Sequence, residues 1–357
     1  MDFALAETQQ AVAQAAAHLL SRVQPQAHAE YDRGLWKELA QAGLLALALP
    51  ESMGGDGLGV LDTAVLLTEA GRRAAPVPAL ATLAMGVLPV TRWGDRDQQW
   101  LLLDGVAAGD AILTAAVREP SDPMPSAPAT TAGGGTVSGV KIGVPYAAES
   151  RWILVPASSA SGPGVVVVDP SAEGVTLGLT PSSAGGPEYT LHLDSAPVAH
   201  VLGPASAVDD LYQLTLAGAA CLADGALAGA LALTTAHVGT RQQFGRPLAT
   251  FQAAAQLIAD VHIVSRTLHL AALSACWRLD TGREAGADLD VAAYWLAEQA
   301  PAALRACHHL HGGTGMDVSY PLHRYSALVK DLVKLIGGAD YRLARLGARV
   351  GEPCSAI

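Results

Sequence analysis

Two glycine-containing segments carry the side chains best suited to chemistry. The first reads Arg241-Gln242-Gln243-Phe244-Gly245-Arg246-Pro247, and the second, His309-Leu310-His311-Gly312-Gly313-Thr314-Gly315, follows about seventy residues later. Glycine lets a backbone approach a phosphate or a ring, and a helix end offers free N–H groups to an anion. Arginine adds a charged fork and phenylalanine a flat apolar face. Together these residue types are suited to binding a nucleotide, although either segment alone could be an ordinary helix end.

Long helices must position both segments, because each one interrupts an apolar pattern of helical spacing. The predicted helices cover residues 208–240, 248–279, 288–311 and 321–337. Amphipathic segments of this length are not stable alone, so they are expected to pack as a bundle.

Two regions of different character precede this bundle. Up to about residue 113 the apolar pattern predicts helices at 5–23, 35–47 and 61–70, with a glycine-rich loop at 50–57. From 114 to 204, short β-branched runs alternate with turn residues, which predicts an all-β region. Its strands are predicted at 112–117, 136–144, 152–155, 165–168 and 189–193. The segment 120–135 has few large apolar groups and is predicted to be a mobile loop.

The two glycine segments, in this order and at this separation, resemble the acyl-CoA dehydrogenase family. The loop Pro50-Glu51-Ser52-Met53-Gly54-Gly55-Asp56-Gly57 is similar to one that precedes the third helix of that family. The resemblance covers essentially the whole chain. It implies an α+β multidomain fold, with an N-terminal helical domain at 1–113, a middle β domain at 114–204 and a C-terminal four-helix bundle at 205–357.

The resemblance also implies a cofactor, FAD, whose adenosine end these segments hold across a subunit interface. The implied FAD-binding residues are Arg241, Phe244, Gln252, His309, Gly312 and Gly313. Of these, Gln252 matches a polar position near the adenine pocket. His309 and the two glycines fill the place of a Gln-x-x-Gly-Gly segment, and for His309 a purely structural role is an equal alternative.

The family's catalytic base, a glutamate, is absent from both of its usual positions. Ile336 stands at one of them and Thr215 at the other, and neither side chain can accept a proton near neutral pH. Asp224, Asp331 and Asp340 are the nearby carboxylates. Each is more simply interpreted as a solvated or capping group, so we predict no catalytic residue in this chain.

The positions that contact the flavin ring and CoA in the family have changed as well. In the stretch 117–122 only the Glu-Pro pair of the family motif remains, and Arg118 replaces a threonine. In the second ring element, 141–145, the family's aromatic residue and threonine are missing, and Pro145 has no N–H to donate. Leu216 occupies the position of an arginine that faces CoA in many members.

Such a pattern resembles the non-catalytic subunit of the actinobacterial α2β2 acyl-CoA dehydrogenases of steroid side-chain degradation. It implies a second acyl-CoA dehydrogenase-like subunit that carries the catalytic glutamate, with FAD shared across the interface. The implied substrate is an acyl-CoA, a sterol-derived thioester with a three-carbon side chain. Two alternatives remain open, a complete homomeric enzyme with a displaced base and a scaffold of the same fold that binds no nucleotide.

Composition excludes several other classes of function. The net charge is −11 and no basic stripe is present, which argues against nucleic acid as a partner. No run of 18 uninterrupted apolar residues indicates a membrane span, and the N-terminus does not read as a signal peptide. The cysteines, which lack zinc spacing, are expected to be reduced, buried thiols of a cytoplasmic protein. These are Cys221, Cys276, Cys307 and Cys354.

A histidine cluster in the second segment raises the question of a metal. His308, His309 and His311 are close in sequence. Neighbouring residues on a helix point about 100° apart, so the three side chains cannot easily meet at one ion. We therefore predict no metal site.

Overall fold

Helices form both ends of the chain and a single large sheet lies between them. A computed structural model describes residues 3–22, 31–120 and 122–350. Val23, Ser121 and Cys354, which entered the predictions above, lie outside the described residues.

The described residues of the N-terminal part form helices joined by turns. Its helices are α1 (Glu7–Leu20), α2 (Arg33–Gln41), α3 (Val60–Arg72), a π-helical segment (Leu80–Val87) that continues as α4 (Leu88–Trp93), and α5 (Arg96–Leu102). The helix predicted over 35–47 ends earlier, at Gln41, because the chain turns at Gly43 with a φ of 78°. The helices between 80 and 102 fall in the region predicted to be helical, but no separate helix was predicted there.

Eight strands form the middle sheet. They are β1 (Leu113–Ala115), β2 (Thr131–Gly133), β3 (Thr136–Pro145), β4 (Trp152–Ser159), β5 (Gly162–Val168), β6 (Val175–Thr180), β7 (Glu188–Pro197) and β8 (His200–Gly203). The strand order is β6-β7-β3-β2-β4-β5-β8, and β1 pairs with β4 in parallel. The pairs β3–β7 and β4–β5 are antiparallel. Sequence patterns missed β2, β6 and β8.

The prediction of a loop over 120–135 is wrong for its last residues, which form a strand; residues 122–130 contain no helix or strand. That strand is β2, and the backbone N–H groups of Ala129 and Thr130 donate to the Glu119 carboxylate at 2.7 and 2.9 Å. The buried Glu119 carboxylate thus binds the backbone of this segment, which has few large apolar side chains to hold it in place.

The C-terminal part is a bundle of long helices. They are α6 (Ala205–Thr240), α7 (Gln252–Asp280), α8 (Gly286–Tyr294) continued through a π-helical segment (Trp295–Gln299) into α9 (Ala300–His311), α10 (Leu322–Leu335) and α11 (Gly338–Val350). A two-stranded hairpin of β9 (Gln242–Gln243) and β10 (Arg246–Pro247) separates α6 from α7. The predicted helix over 321–337 ends at Leu335, and α11 was not predicted.

The 36-residue helix α6 is the central element of the bundle. It is long and apolar enough to cross a bilayer, but 72% of its most apolar window is buried inside the protein, as in the core helix of a folded domain. Glycines allow α3 to lie directly against it. A Cβ on Gly225 would stand 1.8 Å from the carbonyl oxygen of Thr68, and one on Gly71 would stand 2.0 Å from that of Leu222.

Candidate functional site

The fold brings the two glycine segments together at one end of the bundle. The imidazole rings of His237, near the end of α6, and His311, at the end of α9, stack with their centroids 4.4 Å apart. Arg241 follows His237 by one helical turn, and Gly312 follows His311 directly. The helix ends that carry the two segments are therefore in contact.

Hydrogen bonds fix the orientation of His311. Its Nδ1 lies 2.8 Å from the carbonyl oxygen of Cys307, so this nitrogen must carry the proton. Its Nε2 then accepts from the Tyr320 hydroxyl at 3.1 Å. Burial lowers the pKa of His311, and burial together with the nearby Arg241 guanidinium lowers the pKa of His237. Both rings are therefore held neutral, which permits their close stacking.

The first segment folds into a tight hairpin that presents an aromatic ring. Phe244 and Gly245 occupy the turn with φ angles of 52° and 79°, the left-handed conformation that two-residue hairpin loops require. A bulky side chain rarely adopts this conformation, and its presence in a turn is a form of strain that is frequent at binding sites. The Phe244 side chain is 92% exposed. Most of the apolar surface of the Phe244 ring is therefore accessible from outside the chain.

Other side chains of the hairpin support this ring. Phe251 meets Phe244 edge to face at 6.1 Å between centroids, and the Arg246 guanidinium lies 4.1 Å from the centre of the Phe251 ring. Arg241 is exposed at the end of α6, and Gln252 is exposed at the first residue of α7. The hairpin therefore combines cations, an aromatic face and an amide on one exposed surface.

In the second segment, the groups accessible to a ligand are mainly those of the glycine backbone. Gly312 has a φ of 56°, and a Cβ on Gly312 or Gly313 would meet nothing within 4 Å. Both glycines and His309 are exposed. An open glycine backbone beside an arginine and a phenylalanine fits the phosphate and adenosine parts of a dinucleotide.

At the ring elements that match those of the family, the Arg118 side chain lies against the backbone. A Cβ on Gly143 would stand only 2.6 Å from Nη1 of Arg118, so the guanidinium lies against the backbone of the second ring element. Burial lowers the pKa of Arg118, and the negative charge of Glu188 opposes this effect. Glu188 also accepts from Nζ of Lys334 at 2.7 Å. Charged side chains thus lie beside the second ring element.

A buried ion pair joins the two altered ring motifs. Lys141 has no exposed surface, and its Nζ donates to Glu119 at 2.7 Å. Burial raises the pKa of the Glu119 carboxyl, but the hydrogen bonds from Lys141 and Thr130 outweigh burial and hold the pKa below its usual value. Removing either partner would leave a buried charge uncompensated. The surviving glutamate of the family motif therefore holds the sheet together here.

The residues at the two base positions are apolar or internally bonded. Ile336 is fully buried. The Thr215 hydroxyl, also buried, donates to the Leu211 carbonyl one turn earlier in α6, at 2.8 Å. Leu216, where an arginine faces CoA in the family, is buried in the bundle.

The three alternative carboxylates have different surroundings. Asp224 is buried and pairs with His269 at 2.8 Å, so the interpretation of Asp224 as a solvated group is wrong. Asp331 accepts from the backbone N–H groups of Ser183 and Ala184, both at 2.8 Å, which is a capping role. Asp340 is exposed in the first turn of α11.

Two of the clustered histidines have protein partners. His308 hydrogen-bonds the Gly315 carbonyl through Nδ1 at 3.0 Å and the Ser326 hydroxyl through Nε2 at 2.8 Å. His311 is engaged as described above. Within residues 3–22, 31–120 and 122–350, no group of three or more His, Cys, Asp or Glu side chains is arranged to hold a metal ion. Cys221, Cys276 and Cys307 are buried free thiols, as expected.

Sequence reasoning missed the residues that hold the site together. His237 is one turn before Arg241, and that spacing was a usable signal for a side chain on the same face of α6. The contact of Arg118 with Gly143 and the Glu188–Lys334 pair had no such signal, because the partners are distant in sequence.

Comparison with known proteins covers both helical parts. Residues 215–349 match the acyl-CoA dehydrogenase C-terminal domain, and residues 4–110 match the acyl-CoA dehydrogenase N-terminal domain. Acyl-CoA dehydrogenase FadE28 of Mycobacterium tuberculosis is 47% identical over 351 residues, which cover 98% of this chain and 99% of that protein.

Two solved structures of similar chains belong to assemblies named for two components. A chain of a variant of the Tcur3481-Tcur3483 steroid ACAD is 33% identical, with a TM-score of 0.91, covering 98% of this chain and 99% of the other. A chain of the ChsE4-ChsE5 complex from Mycobacterium tuberculosis is 30% identical, also with a TM-score of 0.91, covering 99% of this chain and 100% of the other.

Proposed function

This chain belongs to the acyl-CoA dehydrogenase family, and from that membership we propose that it is the non-catalytic subunit of a heteromeric, FAD-dependent acyl-CoA dehydrogenase. The family reaction removes a proton from the carbon next to a CoA thioester and a hydride from the following carbon, which creates a double bond. In this proposal a partner subunit supplies the glutamate base and the flavin-ring site. This chain closes the FAD site from across the interface.

The proposal rests on the contrast between the adenosine side and the flavin-ring side of this chain. The adenosine-side surface is exposed, with Phe244 held outward at 92% exposure beside Arg241. On the ring side, Arg118 lies against Gly143, and the buried Lys141–Glu119 pair joins the two altered ring motifs. A chain with an exposed adenosine side and charged side chains at its altered ring motifs is suited to completing a cofactor site that another subunit carries.

The adenosine-side residues can bind FAD without taking part in its chemistry. Arg241 would pair with a phosphate and Phe244 would pack against the adenine or ribose. The Gly312–Gly313 backbone would allow close approach of the cofactor, with His309 and Gln252 as polar neighbours. The flavin, when bound, accepts the hydride. These binding roles require no catalytic base among the site residues.

The partner and the substrate follow from the same proposal. The partner is a second acyl-CoA dehydrogenase-like chain, in an α2β2 assembly. The two similar structures support this arrangement because both are named as two-component assemblies, and one is named a steroid ACAD. We therefore propose a steroid side-chain CoA thioester as the substrate, as in cholesterol degradation.

Expression with and without an acyl-CoA dehydrogenase-like partner tests this function. The lone chain is expected to bind little or no FAD, whereas the co-purified assembly is expected to contain one FAD per pair of different subunits. A lone chain that is yellow, holds one flavin per protomer and oxidises an acyl-CoA would instead identify a complete homomeric enzyme. An assembly without flavin would identify a scaffold.

A further inference from the structure

Two buried thiols are in contact inside the C-terminal bundle. Sγ of Cys221 on α6 lies 3.4 Å from Sγ of Cys276 on α7. The two residues are only 3% and 0% exposed. Thr68 of α3 also hydrogen-bonds the Cys221 sulfur, so the pair lies where three helices meet. The function proposed above assigns no role to either thiol.

A second contact beside the thiols fixes α6 against α7. Asp224, three residues after Cys221 on α6, pairs at 2.8 Å with His269, seven residues before Cys276 on α7. A step forward along α6 thus corresponds to a step backward along α7, so the two helices run antiparallel here. Ala272, between the two contacts on α7, is buried, and small side chains at a contact let two helices approach closely.

This arrangement is suited to a disulfide bond. The sulfur atoms of a disulfide are about 2 Å apart, so small rotations of the two side chains bring Cys221 and Cys276 to bonding distance. Cys307, the third cysteine among the described residues, hydrogen-bonds Thr234 instead.

The thiols are free, and their surroundings favour the reduced state. The hydrogen bond with Cys276, burial and the negative charge of Asp224 all raise the pKa of the Cys221 thiol. Because the thiolate is the form that reacts with an oxidant, this raised pKa makes oxidation slow. Burial also keeps out a large oxidant such as glutathione disulfide, whereas a hydroperoxide is small and uncharged.

We propose that Cys221 and Cys276 form a reversible disulfide that joins α6 to α7 during sustained exposure to hydrogen peroxide. One thiolate attacks a peroxide oxygen, the O–O bond breaks and a sulfenic acid forms, while the hydroxide that leaves takes up the thiol proton and becomes water. The second thiol attacks the sulfenic sulfur, and the S–S bond forms as a second water leaves. Two thiols are thus oxidised and one peroxide is reduced to two waters. A dithiol reductant reverses the reaction by thiol–disulfide exchange.

The cross-link would close the part of the chain between residues 221 and 276, which contains the hairpin with Arg241 and Phe244. A closed loop restricts the unfolded chain, so the disulfide is expected to stabilise the bundle. Arg241 is about 30 Å further along α6, so the disulfide acts on the stability of the helix pair and does not contact the candidate nucleotide surface. The proposal does not depend on the subunit role proposed above.

Peptide mass mapping after treatment with hydrogen peroxide tests the proposal on the full chain, purified with any subunit that accompanies it. We expect a cross-linked pair of peptides that contain Cys221 and Cys276, lighter by two hydrogen atoms than the separate peptides, and its loss after dithiothreitol. Glutathione disulfide is expected to give at least about tenfold less of this product. The melting temperature of the oxidised protein is expected to lie several degrees above that of the reduced protein.

Cysteine variants assign both effects to this pair. Cys221→Ala and Cys276→Ala are each expected to lose the cross-link and the difference in melting temperature between the oxidised and reduced forms. Cys307→Ala, the matched control at another buried thiol, is expected to keep both. Because the difference is measured within each variant, a less stable variant remains informative, and Cys221→Ser replaces an alanine variant that does not fold.

Four results would overturn the proposal. They are the absence of the cross-link in the folded wild type, a cross-link that forms only after denaturation, an equal yield with glutathione disulfide, and an unchanged melting temperature in the cross-linked protein.

Discussion

Arg118 and Arg241 show how one residue type acts in opposite ways at the two ends of the candidate nucleotide site. The Arg118 guanidinium lies against Gly143 on the ring side, where burial lowers its pKa. Arg241 is exposed at a helix end beside Phe244. The first is held against the backbone inside the protein, and the second is available to a ligand that approaches from outside.

The stacked pair His237 and His311 predicts a pH dependence of stability. Both pKa values lie below the usual 6.5 in the folded protein, mainly through burial. The unfolded chain therefore takes up protons first as the pH falls below about 6.5, and stability is lost over that range and is fully present above it. The double variant His237→Gln/His311→Gln is expected to lose less of its melting temperature between pH 7.5 and 5.5 than the wild type. His262→Gln, at an exposed position of α7, serves as the control. Equal losses in all three proteins would contradict this role for the histidine pair.

We predict that no carboxylate of this chain is the catalytic base. In the assembled enzyme, Asp224→Asn, Asp331→Asn and Asp340→Asn are each expected to retain most of the turnover, because Asp224 is paired, Asp331 is a cap and Asp340 is solvent-exposed. Loss of a catalytic base lowers turnover by about 10²–10⁴-fold. A decrease of that size in any one variant, with FAD still bound, would identify a base in this chain.

At the scale of elements, apolar periodicity predicted the helix–sheet–helix order, and the resemblance to the family predicted the fold class; both predictions are confirmed. Long segments such as α6 and α7 can be recognised as helices from their length and apolar content. No separate helices were predicted within 80–102, where residues 80–90 are apolar with little polar alternation and α5 spans only seven residues. The strands β6 and β8 contain few consecutive apolar residues.

At the candidate site, the sequence predicted functional residues only where they lie close together in the chain. The exposed residues Arg241 and Phe244 belong to one short segment and could be singled out there. The contact of Arg118 with Gly143, and the pairing of Glu119 with Lys141, depend on strands that meet only in the folded sheet. The roles of the six candidate FAD-binding residues stay predictions.

The close packing of α3 against α6 predicts that two glycine substitutions on α6 have different effects on stability. Gly225→Ala would place a methyl group 1.8 Å from the Thr68 carbonyl oxygen, so the helices must separate. Overpacking of this kind costs roughly 1–3 kcal/mol or more, and the melting temperature is expected to fall by several degrees. Gly239→Ala, on the same helix but with nothing within 4 Å, is expected to raise it slightly, because alanine favours helices. Similar shifts in the two variants would show that the close approach of α3 and α6 has no energetic importance.

At the scale of the whole molecule, the chain has the complete fold of an acyl-CoA dehydrogenase and an altered set of site residues. The fold extends from α1 to α11, and the similar chains of two-component assemblies match nearly its full length. The family fold is thus retained although the residues at its base and ring positions have changed.

The central claim is that this chain contributes adenosine-side contacts to FAD held mainly by another subunit, and FAD affinity of the assembled complex tests it most directly. We expect Arg241→Ala to weaken FAD binding about tenfold or more, since a hydrogen bond to a charged group contributes roughly 1.5–3 kcal/mol. Phe244→Ala is also expected to weaken it, whereas Arg96→Ala, an exposed arginine on α5, leaves it unchanged. Wild-type FAD affinity in both site variants, with the assembly intact, would contradict the claim.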